Sequence, residues 1–278
     1  MGETPDDIST MERLCQKGDP RDTTRWHEGD PDYVTEFGLR QTHIPALVEI
    51  VRRWADNDEM PEDKWSAPIH AWRALAQLRA VEVVEPLLAM QNQLDERGDQ
   101  WYLEEFHDVF GVIGPPAIAA LSAYLRDRSN TEYSRISTAN GLCEVGKRHP
   151  DTRPQIVEVL AGHLAAQESG IYSLNGFLIG YLADLKAVES AEVIERAFAA
   201  GVVDEMVSGD WTTIRGELGV PGLGLVSDRP RPRRPHFESA ASLGQPVENR
   251  ERQRQMGRKA KAKRKQQEKA RKRNRKRR

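Results

Sequence analysis

Cysteine is nearly missing from this chain. Cys15 and Cys143 are the only two, 128 residues apart. They give neither a disulfide framework nor metal-ligand spacing, so a reducing compartment is the natural expectation. Met1 to Asp7 hold no apolar stretch of the kind a secretory signal needs. Asp6 stands where myristoylation asks for Ser or Thr. Long hydrophobic runs are also lacking: the most apolar stretch, 171–185, is interrupted by Asn175 and Asp184 and is too short to span a bilayer. No Asn-X-Ser/Thr glycosylation acceptor occurs. These absences argue against a disulfide-rich secreted domain and a helical membrane protein. They lead to the expectation of a soluble, cytoplasmic chain with no membrane partner.

Catalytic patterns are equally scarce. The seven histidines show no paired ligand spacing. His70, His107 and His163 fall on helical stripes and read as packed side chains. His27-Glu28 is not followed by the second histidine of a zincin helix, and Gly222-Leu-Gly-Leu lacks the third glycine of a dinucleotide loop. Asp32 with Glu62-Asp63-Lys64 spells a nuclease-like set, but that chemistry is mounted on strands and the pattern shows none. Ser, Cys and His do not group as nucleophile and base. The sequence therefore assigns no catalytic residue, no metal and no cofactor, and the chain reads as non-enzymatic.

What is present is repetition. Leu75-Ala-Gln-Leu-Arg-Ala-Val-Glu82 returns as Leu182-Ala-Asp-Leu-Lys-Ala-Val-Glu189, 107 residues later, which is three steps of about 36. The period holds outside that phrase: Val84 to Ile118 and Leu87 to Leu121 are both 34 apart. Helical stripes lie between. Leu47, Val48, Val51, Trp54 and Ala55 form one, entered at His43-Ile-Pro45. Two-helix units then span about 65–98, 100–128, 131–167 and 171–200, with a terminal amphipathic piece near 203–218. Ser66 and Asp151 or Thr152 are expected as helix caps, and Gly98 as a left-handed stop.

Charge is divided unevenly. Residues 250–278 hold 17 of the 41 Lys+Arg and two of the 43 Asp+Glu, a net of +15. The preceding 249 residues keep 24 basic and 41 acidic groups, a net of −17. Between them, Arg229-Pro-Arg-Pro-Arg-Arg-Pro235 and its Gly-rich approach form a linker rather than a packed element. The expected organisation is a loosely ordered segment at 1–28, a helical array at 29–218, a Pro/Gly-rich linker at 219–249 and a disordered basic tail at 250–278.

Trp72-Arg-Ala-Leu-Ala-Gln-Leu-Arg-Ala-Val-Glu-Val-Val-Glu-Pro-Leu87 and Phe110-Gly-Val-Ile-Gly-Pro-Pro-Ala-Ile-Ala-Ala-Leu121 resemble HEAT repeats of the short kind also found in phycobilisome-lyase-type proteins. Trp65-Ser-Ala-Pro-Ile-His-Ala-Trp-Arg-Ala-Leu75 and Leu174 to Glu189 are similar to a group of bacterial HEAT-repeat proteins, some ending in a zinc-binding Cys/His module. No cysteine follows Cys143, so that module has no counterpart here. The resemblance implies an all-α fold, a right-handed α-α superhelix of about four to five helical hairpins. It also implies protein binding, or, in a lyase-like reading, the handling of a tetrapyrrole.

Function is thus expected in interaction. In the tail, Arg258, Lys259, Lys261, Lys263, Arg264, Lys265, Arg271, Lys272, Arg273, Arg275 and Lys276 are suited to phosphates of RNA, DNA or a ribosome. No aromatic lies among residues 250–278, so backbone contact is expected rather than base stacking. On the helical body, Trp65, Trp101, Glu104, Glu105, Asp108, Asp210 and Trp211 are candidates to receive a protein partner, a basic segment above all. A third reading has the tail folded onto its own acidic body as an autoinhibited module.

Overall fold

Every apolar stripe read from the sequence becomes a helix, and the described residues contain no strand. The computed structural model describes residues 13–219 apart from 15, 57–64, 100, 167 and 169. These residues all belong to the first of two units into which the chain divides, Met1–Arg234 and Pro235–Arg278. Among the described residues twelve α-helices are delimited: α1 (Tyr33–Phe37), α2 (Ile44–Asp56), α3 (Ala67–Gln77), α4 (Val84–Arg97), α5 (Trp101–Ile113) and α6 (Ile118–Arg126), then α7 (Glu132–Arg148), α8 (Arg153–Ala165), α9 (Tyr172–Asp184), α10 (Ala191–Ala199), α11 (Glu205–Ser208) and α12 (Trp211–Leu218).

The helices pack in two layers. One holds α3, α5, α7 and α9, each against the next, with α11 and α12 closing on α9. The other runs α2, α4, α6, α8, α10. Four successive hairpins result: α3/α4, α5/α6, α7/α8 and α9/α10. In each, a short 3-10 turn (Val81–Val83, Pro115–Ala117, Pro150–Thr152, Val188–Ser190) runs straight into the second helix. The caps expected at Ser66 and Thr152 are not made by their side chains, Thr152 being the last residue of such a turn. Thr152 Oγ1 donates instead to the His149 carbonyl at 2.7 Å.

The repeated phrase is a helix-stop device. Ala80 N–H donates to Leu75 O at 3.1 Å and Arg79 N–H to Ala76 O at 2.8 Å, the paired bonds of a Schellman ending. Ala187 and Lys186 repeat them on Leu182 and Ala183 at 2.9 and 3.0 Å. That ending requires a left-handed residue, and Arg79 (φ 51°) and Lys186 (φ 55°) occupy it where glycine is usual. Their side chains supply a compensation that glycine lacks. Arg79 Nη1 donates to Val112 O at 2.9 Å near the end of α5, and Lys186 Nζ donates to Glu217 O at 3.2 Å near the end of α12. The phrase therefore stops one helix and ties it to the next in the layer.

The core begins with an aromatic run through α2, α3 and α5. Trp54 meets Trp72 at 5.4 Å, Trp72 meets Phe106 at 5.2 Å, and Phe106 meets Phe110 at 6.2 Å, all edge-on. Close helix approach continues it. A Cβ on Gly141 of α7 would lie 2.8 Å from Phe110 Cδ2 of α5. Among the described residues no single helix is long and apolar enough to cross a membrane, and only the pair α5/α6, bent by 113°, passes on length and composition together.

Within the stretch expected to be loosely ordered through residue 28, Leu14, Pro20 and Trp26 are buried. The stretch shows no periodicity because it is held by single anchors and by hydrogen bonds from α3, not by a helical stripe.

Candidate functional site

Each hairpin reverses the chain, so the helices of the first layer all start along one edge. That edge carries large side chains which the stack does not cover. Trp65, two residues ahead of α3, is 39% exposed, and its ring lies 6.2 Å from that of Trp101, the first residue of α5. Tyr133 stands half-buried at the second position of α7. Tyr172 opens α9 at 48% exposure, and Met206 sits in α11 at 77%. Large aromatics with one face wet are the usual anchors of binding surfaces.

Carboxylates accompany them, because helix N-termini attract anions. Asp99 Oδ1 accepts from Trp101 N–H at 2.9 Å, Glu132 Oε1 from Leu174 N–H at 3.0 Å, and Asp204 Oδ1 from Met206 N–H at 3.0 Å. Asp95 lies close enough to Tyr133 that it joins Glu132 and Asp204 in holding the phenol protonated, an effect led by burial. Burial also pushes the carboxyls of Asp95, Asp99 and Glu132 above the usual carboxylate range. None of these four acids forms an ion pair with Lys or Arg among the described residues. Arg97 offsets part of the negative charge at Asp99, and Arg135 part of that at Glu132.

The residues expected from sequence divide sharply. Trp65 and Trp101 are brought together, and Glu104 lies one turn along α5 from Trp101, half-buried. Glu105 is turned inward: its oxygens receive Trp72 Nε1 at 2.7 Å, Arg73 Nε at 2.9 Å and Arg73 Nη2. Only 7% exposed, it faces the interior, where buried Arg73 requires a counter-ion. Asp108 is likewise engaged, by Arg148 Nη2 at 2.7 Å, with His27 and His107 nitrogens each 3.6 Å away. Asp210 caps α12 through Thr213 N–H at 2.8 Å. Trp211 packs on Phe198, ring centres 6.1 Å apart. The basic tail residues lie outside the described residues.

Tyr133, Tyr172, Met206, Asp99 and Glu132 were not singled out from sequence. Their shared signal is position, since each stands at or next to the start of a first-layer helix. The histidines read as packed are partnered in two cases. His70 Nε2 donates to Gly18 O at 3.1 Å while Nδ1 accepts from Tyr33 OH at 2.6 Å, and His163 Nε2 lies 2.9 Å from Arg135 Nη2. Among the described residues no group of three or more His, Cys, Asp or Glu is arranged to hold a metal ion. No protein-family model, no curated protein and no solved structure matches this chain.

Proposed function

We propose that this chain is a non-enzymatic scaffold, a HEAT-like helical array that docks a basic segment of a partner protein on its acidic, aromatic edge. The basic tail contacts nucleic acid or a ribonucleoprotein. The observation that carries the reading is the pairing of exposed Trp65 with half-buried Trp101 at the head of a row of carboxylates, Asp99, Glu132 and Asp204, that accept backbone N–H bonds. Indole faces attract guanidinium and ammonium groups, by about 0.5–1 kcal/mol at exposed sites and more when desolvated. Carboxylates beside them add long-range attraction and set the partner's sign of charge. The tail's +15 supports the second contact, by phosphate neutralisation with counterion release.

One experiment with two arms separates these roles. Fluorescence anisotropy is read for a labelled arginine-rich peptide and for a labelled RNA duplex, with the full chain, the W65A/W101A variant and residues 1–249. The double variant is expected to bind the peptide about tenfold more weakly, a loss of roughly 1.4 kcal/mol. Truncation is expected to remove RNA binding and its steep salt dependence. Equal peptide affinity with and without the indoles contradicts the edge, and RNA binding unchanged by truncation contradicts the tail.

A further inference from the structure

Helix α4 ends with an acid where helix electrostatics favours a base. Gly98 takes the left-handed stop (φ 69°), its N–H donating to Asp95 O at 2.9 Å and that of Asp99 to Leu94 O at 3.0 Å. Asp95 therefore lies in the last turn of α4, at the negative end of the helix dipole, which welcomes a cation and disfavours a carboxylate. Asp99 follows four residues later and is held there because its Oδ1 accepts from Trp101 N–H at the start of α5. Two half-buried carboxylates are thus set at one helix end.

Their immediate neighbours are neutral. Thr131 and Tyr102 are the hydroxyls beside Asp95, and Glu96 adds further negative charge there. The Tyr102 hydroxyl is fully buried and completes no hydrogen bond, although Asp95 and Asp99 both lie near enough to help hold it protonated. Trp101 and Tyr133, each half-buried, stand at the starts of α5 and α7. Arg97 offsets part of the charge on Asp99 from an exposed position, with its Nη1 3.5 Å from Trp54 O. What the set lacks is a charged donor of its own inside the site.

We propose that Asp95, Asp99 and Tyr102 form a pocket for one arginine side chain of the partner's basic segment, with the Trp101 indole as its wall. The proposal rests on the docking edge and names the residue type read there. A guanidinium suits the set better than an ammonium. Its planar fork donates to several oxygens at once, it gives up less hydration on entering a half-buried site, and it stacks on an indole face. Among the described residues no three His, Cys, Asp or Glu are arranged for a metal ion, so an organic cation is the fitting guest.

The test compares a labelled arginine-rich peptide with its counterpart carrying lysine at every arginine, by fluorescence anisotropy on the full chain. The arginine peptide is expected to bind about tenfold more tightly, through its added hydrogen bonds to charged acceptors. In the Asp95→Asn/Asp99→Asn chain the preference is expected to vanish while the weaker lysine binding remains; asparagine keeps an oxygen that can cap α5. Equal affinity for the two peptides in the wild type overturns the pocket and leaves the docking edge standing. So does a preference that survives in the variant with native helical circular dichroism. No binding of either peptide overturns both. Should the variant lose its helical signal, carbon-13 carboxyl titration of the wild type takes its place. Saturating arginine peptide is expected to lower the titration midpoints of Asp95 and Asp99, and unmoved midpoints overturn the pocket.

Discussion

Glu105 shows how a residue's sequence neighbourhood can mislead about its role. Beside Glu104 and Asp108 it reads as one acid of a surface row, yet it balances Arg73 in the interior and receives the Trp72 indole N–H. Removing one partner of such a pair leaves a buried charge unmatched. Glu105→Gln is therefore expected to lower the unfolding free energy by about 3–5 kcal/mol in urea denaturation; a loss below about 1 kcal/mol, the range of surface pairs, would contradict its buried role. His70 and His163 give a pH dependence. Burial holds each down to about 4 from an ordinary value of 6.5, with Arg135 adding to the effect at His163. The folded state thus binds fewer protons than the unfolded state between those values. Stability is full above pH 6.5 and falls as pH drops toward 4. Thermal melts across that window should show the decline, and His70→Gln should flatten it; an unaltered slope would count against the Tyr33–His70–Gly18 bonding.

At the scale of helices, two glycines separate packing from propensity. Gly141 faces Phe110 so closely that an added methyl must displace the ring, and Gly141→Ala is expected to cost about 1–3 kcal/mol. Gly162, inside α8, has nothing within 4 Å of an added Cβ, so Gly162→Ala is expected to gain about 0.5–1 kcal/mol from helix propensity alone. Denaturant midpoints moving the same way for both would contradict the close approach of α5 and α7. Helices were the legible part of this chain because period 3.6 survives in Leu47, Val51, Phe106, Phe110, Leu121 and their equivalents. The four hairpins follow from that period and its breaks. The edge was half legible. Trp65 and Trp101 stand out as large residues near helix starts, but Tyr133, Tyr172 and Glu132 join them only when hairpins stack and residues about 35 apart become neighbours. Least legible was the segment before Tyr33, whose order depends on donors from α3 with no pattern of its own.

For the whole molecule, the −17 of residues 1–249 against the +15 of the tail is a matter of composition. The fold determines where the acids of the body are unpaired. Glu105, Asp108 and Glu189 are paired with Arg73, Arg148 and Arg153. Asp99, Glu132 and Asp204, near the first-layer helix starts, accept backbone N–H bonds instead and lie with the aromatics of that edge. The chain has six tryptophans, which makes their indole N–H resonances a small and complete reporter set. An arginine-rich peptide titrated into the nitrogen-15 labelled full chain, followed by these signals, addresses the docking edge most directly. Trp65 and Trp101 are predicted to shift progressively and saturate, while buried Trp26 and Trp72 stay in place. Saturable binding that leaves Trp65 and Trp101 unmoved, or that moves all six alike, would contradict docking at the edge.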